Sequence, residues 1–231
     1  MTPNTLYQYT ACPFCCKVRA GLALKGVDYD KVEVHPLNKK EIEFSSEWKK
    51  VPIWINGAGQ SVVDSTKILN SLDEQYPSKP IFDSSSKETQ WLEWTEKFVK
   101  SVPPAIYNSY RNAWKAFSYV TENGKFSPVQ QRLIQASGAG VMRMVSKKIK
   151  KRLNISDPIA HLESQLEEWA LGLEDNRFMG GEKPNAADVS MFGFCKSFDG
   201  LPAGDTFLKV PVFAKWMKAM SQETGIELKT L

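Results

Sequence analysis

The chain has no uninterrupted apolar run near the roughly 18 residues a membrane-spanning helix needs. It holds only two histidines, His35 and His161, far apart in sequence, which leaves little for a histidine-ligated metal. Four cysteines, three of them packed into one pentapeptide, do not make a disulfide scaffold. That usage suits a reducing compartment such as cytosol, chloroplast stroma or mitochondrial matrix. Excess charge is also scarce: a net +4 does not indicate a nucleic-acid partner. The opening Met1-Thr2-Pro3-Asn4 does not read as a signal peptide, and no internal repeat is visible. What is there is a 42% apolar chain of 231 residues, enough for one large domain or two modest ones.

The most informative stretch is Cys12-Pro13-Phe14-Cys15. It follows an alternating run, Leu6-Tyr7-Gln8-Tyr9, and precedes a helical stretch, Lys17 to Leu24. A cysteine at a strand-to-helix turn meets free backbone N–H groups and the positive end of the helix dipole. Both stabilise a thiolate, and Lys17 and Arg19 add positive charge. A second cysteine three residues on can resolve a mixed disulfide formed by the first. Structural zinc is the bland alternative, but it wants a second ligand pair at short spacing, and Cys16, Cys195, His35 and His161 are scattered. A buried, inert pair is the other alternative. Cys16 reads as an inward-packing residue, with a redox role as the second reading.

Alternation of strand and helix organises the first eighty residues. Thr5 to Tyr9, Tyr29 to Val34, Val51 to Ile55 and Ser61 to Val63 read as strands. Cys15 to Lys25 and Asp64 to Tyr76 read as helices, with a helical turn over Lys39 to Phe44. This βαβαββα order, with CxxC at the first helix, is that of the thioredoxin fold. Pro52 at a strand start is explained by a cis bond that turns the Val51 backbone outward to pair with an extended peptide. An ordinary edge-strand proline is the alternative. Asp64-Ser65 at a helix start offers an anion site for a carboxylate, and Asp64 could hold an ammonium. An ordinary N-cap explains the same pair.

Beyond a linker marked by Tyr76-Pro77-Ser78-Lys79-Pro80 and Ser84-Ser85-Ser86, helical periodicity takes over. Helices are expected over Lys87–Lys100, Ala105–Glu122, Pro128–Lys151, Pro158–Leu173, Ala186–Ser197 and Val212–Glu223. The expected division is therefore 1–82, α/β, and 83–231, all-α. Asn185 and Asp188 form a reciprocal cap for a buried helix that carries Cys195 as a packing residue. Trp91, Trp94, Trp169 and Trp216 read as core. Val141, Val145, Ile149 and Leu153 recur every fourth residue beside Lys147, Lys148, Lys150, Lys151 and Arg152. That segment reads either as a core helix with a solvated basic end or as a peripheral contact with an anionic membrane.

An α/β thioredoxin-like half followed by an all-helical half is the glutathione transferase architecture. The chain resembles the membrane-associated prostaglandin E synthase type 2 family of that superfamily over nearly its whole length. The resemblance runs through Leu6 to Tyr9 with Cys12 to Cys15, Lys17-Val18-Arg19, Lys39 to Ile42, Phe44-Ser45-Ser46 and Lys50-Val51-Pro52-Ile53. It continues through Ser118-Tyr119-Val120, Gly124-Lys125-Phe126, Ser146-Lys147 and Phe178-Met179-Gly180-Gly181 with Lys183-Pro184-Asn185. The pair Cys15-Cys16 looks more like plant-type members, which would not be expected to meet prostaglandin H2.

This resemblance implies a glutathione-dependent enzyme with Cys12 as reactive thiol and Cys15 as its partner. Tyr9 would donate its phenol to the Cys12 sulfur. Phe14 would flank the tripeptide, Val51 before Pro52 would pair with its backbone, Asp64 and Ser65 would bind its γ-glutamyl end, and Lys50 would meet its glycyl carboxylate. The implied second substrate is a disulfide or a hydrophobic compound such as prostaglandin H2, held by apolar walls between the domains. The resemblance also implies a homodimer, binding of haem together with glutathione, and membrane or organellar (chloroplast or mitochondrial) association for the full-length protein. Histidine-ligated haem finds no support in the residues. A non-catalytic haem–glutathione or iron–sulfur carrier is the remaining alternative.

Overall fold

Alternating apolar residues build a four-stranded sheet whose order is β2-β1-β3-β4. The computed structural model describes residues 3–36, 38–118 and 127–231. The strands are β1 (Thr5–Gln8), β2 (Asp30–Glu33), β3 (Ile53–Ile55) and β4 (Ser61–Val63). β1 runs parallel to β2 and antiparallel to β3, and β3 is antiparallel to β4. The parallel pair is connected through α1 (Pro13–Lys25), as a parallel crossover requires. The helix α2 (Ser65–Gln75) follows β4 directly.

Boundaries shift from the sequence expectation for local reasons. Helix α1 starts at Pro13 because proline is preorganised for the first helical position and its missing N–H costs nothing there. Gly26, at φ 66°, ends it in the left-handed region. The third strand starts only at Ile53, since Pro52 has no N–H for the ladder.

The helical half comprises α3 (Ser86–Ser101), α4 (Pro103–Ile106), α5 (Tyr110–Ala116), α6 (Pro128–Arg152), α7 (Pro158–Gly172), α8 (Ala186–Lys196) and α9 (Pro211–Thr224). The single helix expected from Ala105 onward is instead two short ones. Ser109 breaks it by turning its hydroxyl back onto the Asn112 N–H as an N-cap. The rest of that expectation, and most of Ser118-Tyr119-Val120 and Gly124-Lys125-Phe126, lies outside the described residues. The stripe expected to bury along α6 is only partly inward: Val141 and Leu153 are exposed, and the buried residues are Ile134, Gln135, Ala139 and Ser146.

One core joins the two halves. Leu6, Trp54 and Leu69 from the α/β part are continuous with Phe98, Trp169, Phe192 and Trp216 from the helices. The tryptophans pack on one another, with Trp91–Trp169 and Trp169–Trp216 centroids 5.3 and 5.0 Å apart. Helix α8 approaches α1 so closely at Gly193 that a Cβ there would lie 2.3 Å from the Lys17 Cα. The reciprocal cap of Asn185 and Asp188 is present. The Asp188 carboxylate also accepts from the Met179 and Gly180 N–H groups and from Trp216 Nε1. A second, smaller core lies around Val34, Ile42 and Ile53, with Tyr7, Tyr9, Trp48 and Val51 packed against it.

Candidate active site

The sheet register gathers most of the expected site residues at one end. Tyr7 pairs with Ile53, so the chain continues to Tyr9 on one strand's exit and back to Val51 on its neighbour's entry. Ile53 pairs with Val63, which sets Asp64 at the same end. Cys12 follows Tyr9 by one turn, its N–H donating to the Tyr9 carbonyl at 3.1 Å.

Cys12 is the N-cap of α1, with extended φ/ψ of −76° and 123°. All four cysteines are free thiols; Cys12 is half-buried, whereas Cys15, Cys16 and Cys195 are buried. The Cys12 thiol pKa is lowered. The hydrogen bond with the Cys15 thiol is the largest favourable cause, joined by the Cys15 and Phe14 N–H groups and the Arg19 charge, against the cost of burial. Cys15 goes the other way, raised well above the ordinary thiol value by burial and by the negative charge of Cys12. The proton therefore belongs to Cys15 and the negative charge to Cys12. Cys16 is pushed up to about 11 by burial, and a thiol so held is a poor nucleophile.

Arg19 supplies the cationic support expected near the thiolate. It is fixed by Gln8 Oε1 at 2.8 Å, the Thr10 carbonyl at 2.8 Å and Cys16 Sγ at 2.9 Å. Lys17 does not: its Nζ turns away to Thr66 Oγ1 at 2.8 Å and Glu96 at 3.6 Å. Sequence alone cannot separate the two, because both lie one helical turn or less from the motif.

Tyr9 makes no side-chain hydrogen bond to Cys12 among the described residues. Burial, with the negative charge of Cys12 and Cys15, pushes its phenol up to about 12, so it stays protonated. Phe14 presents its N–H toward the Cys12 sulfur, while its ring packs edge-on against Phe194 at 5.5 Å. The Val51-Pro52 bond is cis, and the Val51 N–H and C=O have no hydrogen bond among the described residues. Asp64 sits at φ 75°, a costly backbone for a residue with a Cβ. Its Oδ1 accepts from the Thr66 and Lys67 N–H groups at 2.9 and 3.1 Å. Ser65, 5% exposed, opens α2. Lys50 is spread over the Trp48 ring at 5.6 Å.

A cleft of about 110 Å³ runs from the thiol turn into the helical half, walled by Ala11, Pro13, Ile106, Tyr107, Met142 and Phe194 among others. Sequence reasoning missed Tyr107. Its phenol is pushed up to about 12 by burial and by the negative charge of Cys12, which puts it within electrostatic reach of the sulfur. Nothing near Pro103-Pro104 in sequence marks it; only the packing of α4 over the thiol turn does. Neither histidine lines this cleft, so among the described residues its wall offers no imidazole to a haem iron.

A four-stranded thioredoxin-like sheet carrying CPFC at its first helix, with a helical half packed on it, defines the glutathione transferase fold. The family model for the glutathione S-transferase N-terminal domain matches residues 6–80. Prostaglandin E synthase 2 from Mus musculus is 29% identical, over 94% of this chain and 69% of that protein. The Danio rerio protein of the same name is also 29% identical, over 95% and 71%. Among solved structures, a glutathione S-transferase from Methylobacterium radiotolerans in complex with glutathione sulfonate superposes with a TM-score of 0.60 at 19% identity, covering 95% of this chain and 91% of that one. Residues 6–80 of the chain carry a glutathione S-transferase N-terminal domain, and the chain is similar to the prostaglandin E synthase 2 proteins along nearly its full length.

Proposed function

We propose that this protein is a glutathione-dependent enzyme of the prostaglandin E synthase type 2 class, with glutaredoxin-like thiol transferase chemistry at Cys12. The observation that carries the reading is the opposed pair of thiols, lowered at Cys12 and raised at Cys15. On this reading residues 1–82 hold glutathione, and 83–231 supply the wall against which the second substrate lies.

The Cys12 thiolate attacks the glutathione sulfur of a mixed disulfide. The Cys12–sulfur bond forms, the disulfide bond breaks, and the departing thiolate takes up a proton. A second glutathione thiolate then attacks the glutathione sulfur of that adduct, releasing glutathione disulfide and the Cys12 thiolate; alternatively Cys15 gives up its proton and attacks the Cys12 sulfur, releasing glutathione and leaving a Cys12–Cys15 disulfide that two further glutathione molecules reduce. With glutathione as the resolving thiol, the mixed disulfide and one free glutathione give the reduced substrate thiol and glutathione disulfide. The free Val51 N–H and C=O suit the extended tripeptide backbone. The α2 N-terminus with Asp64 and Ser65 suits the γ-glutamyl carboxylate and ammonium. Tyr9, kept protonated, is assigned to the wall beside the sulfur, where a phenol can donate to it as substrate enters.

A second reading is isomerisation of prostaglandin H2 to prostaglandin E2. The names of the two 29%-identical relatives favour it, as does the apolar wall of Ile106, Met142 and Phe194 beside Cys12. Peripheral membrane contact is supported by the exposed Val129, Leu133, Val141 and Met144 along α6, with Lys147 and Lys148 next to them.

Purified protein assayed with glutathione against hydroxyethyl disulfide, with prostaglandin H2 in parallel and Cys12→Ser as control, separates these readings. Disulfide turnover that vanishes in Cys12→Ser is the expected result. Full activity in Cys12→Ser would sink both.

A further inference from the structure

Lys17 is 1% exposed, although its sequence position led to the expectation of a charge beside the thiolate. Its ammonium lies instead between the two halves of the molecule. Nζ donates to Thr66 Oγ1 at 2.8 Å, faces Glu96 of α3 at 3.6 Å, and sits 5.7 Å over the Phe194 ring. It has little freedom to move, because Gly193 of α8 presses on its backbone. Thr66 also donates its N–H to Asp64 Oδ1. One short chain of contacts therefore runs from Glu96 through Lys17 and Thr66 to Asp64.

Burying an ammonium is costly, and an apolar side chain of similar length would fill the space at lower cost. Burial pulls the Lys17 pKa down, and Glu96 and Asp64 oppose that. The charge has a use at this place. The second oxygen of Asp64 has no hydrogen bond among the described residues, which leaves it for a ligand ammonium. Without Lys17, Asp64 and Glu96 would confront the ligand's own carboxylate with uncompensated negative charge.

We propose that Lys17 is a positioning residue for γ-glutamyl thiols: with Thr66 and Glu96 it fixes the first turn of α2, on which Asp64 and Ser65 meet the glutamyl end of the ligand. The inference rests on the glutathione reading above and goes beyond it by assigning the selectivity to a residue outside the contact set. Lys17 touches neither the thiol chemistry nor the second substrate.

The test compares glutathione and γ-glutamylcysteine with cysteinylglycine, which lacks the glutamyl group, as reductants of hydroxyethyl disulfide. In Lys17→Met, KM for the two γ-glutamyl thiols rises about tenfold, the size set by losing one charge-assisted hydrogen bond, with kcat within about twofold. KM for cysteinylglycine stays within about twofold, a split that a general packing defect would not produce. Glu96→Gln, at a partly exposed position, keeps the fold secure and shifts KM the same way by about twofold to threefold. Thr66→Val does likewise. An equal rise for all three thiols, or no rise in any of the three variants, overturns the proposal and leaves the glutathione reading standing. Wild-type protein that uses neither γ-glutamyl thiol overturns both.

Discussion

Cys12 and Cys15 meet at the start of α1 with their thiols shifted in opposite directions: the hydrogen bond between them lowers Cys12, while burial first, and then that bond, raises Cys15. The thiol that is nearer the solvent gains the negative charge, and the one that is fully buried keeps the proton. Such a division is what a nucleophile and its resolving partner need: the first must attack at neutral pH, and the second must wait until the first is spent.

The rate of iodoacetamide alkylation at Cys12 should follow its thiolate fraction. Because the folded thiol pKa lies below the ordinary value, the rate climbs through a midpoint below that of a free thiol. Cys15, Cys16 and Cys195 stay unmodified over the same range, since burial raises all three. A pH–rate profile with peptide mapping checks this. A midpoint at or above the ordinary thiol value would contradict it.

Arg19 is the cation that supports Cys12. Replacing it by Met should raise the Cys12 pKa and slow alkylation at neutral pH relative to wild type. Tyr9→Phe should leave the midpoint nearly in place in the glutathione-free protein, since no bond joins that phenol to the sulfur. Parallel pH profiles of the two variants decide the matter. The reverse ranking would restore Tyr9 as the group that tunes the free thiol.

Asp188 predicts a stability effect remote from the chemistry. Asp188→Ala would strand the N–H groups of Met179, Gly180, Asn185 and Trp216 in a buried place. The expected loss is about 3–5 kcal/mol, read as a lower denaturation midpoint in urea. Cys12 alkylation of the remaining folded fraction should keep its midpoint. A loss under about 1 kcal/mol would mean that water replaces the carboxylate without penalty.

The chemistry-bearing turns were legible because each is local. Cys12-Pro13-Phe14-Cys15 reads directly as a helix start, Pro52 at a strand start reads as an exception needing a reason, and Asp64 reads as a cap. The structure bears out the cap on α2 and the cis bond before Pro52. Features set by tertiary packing were not legible. Lys17 and Arg19 are two residues apart and alike in charge, yet one points to Thr66 and the other to the cysteines, because α8 at Gly193 closes over one side of α1. Tyr107 joins the site only because Ser109 breaks the expected long helix and leaves α4 to pack over the thiol turn. The α6 stripe left two readings open because period alone cannot tell a face that meets a neighbour from one that meets solvent.

The most direct test of the central claim is to incubate reduced Cys15→Ser protein with oxidised glutathione and map the adduct by mass spectrometry. The account predicts one glutathione per chain, on Cys12, released by added reduced glutathione. An adduct on Cys16 or Cys195, or none at all, would contradict it.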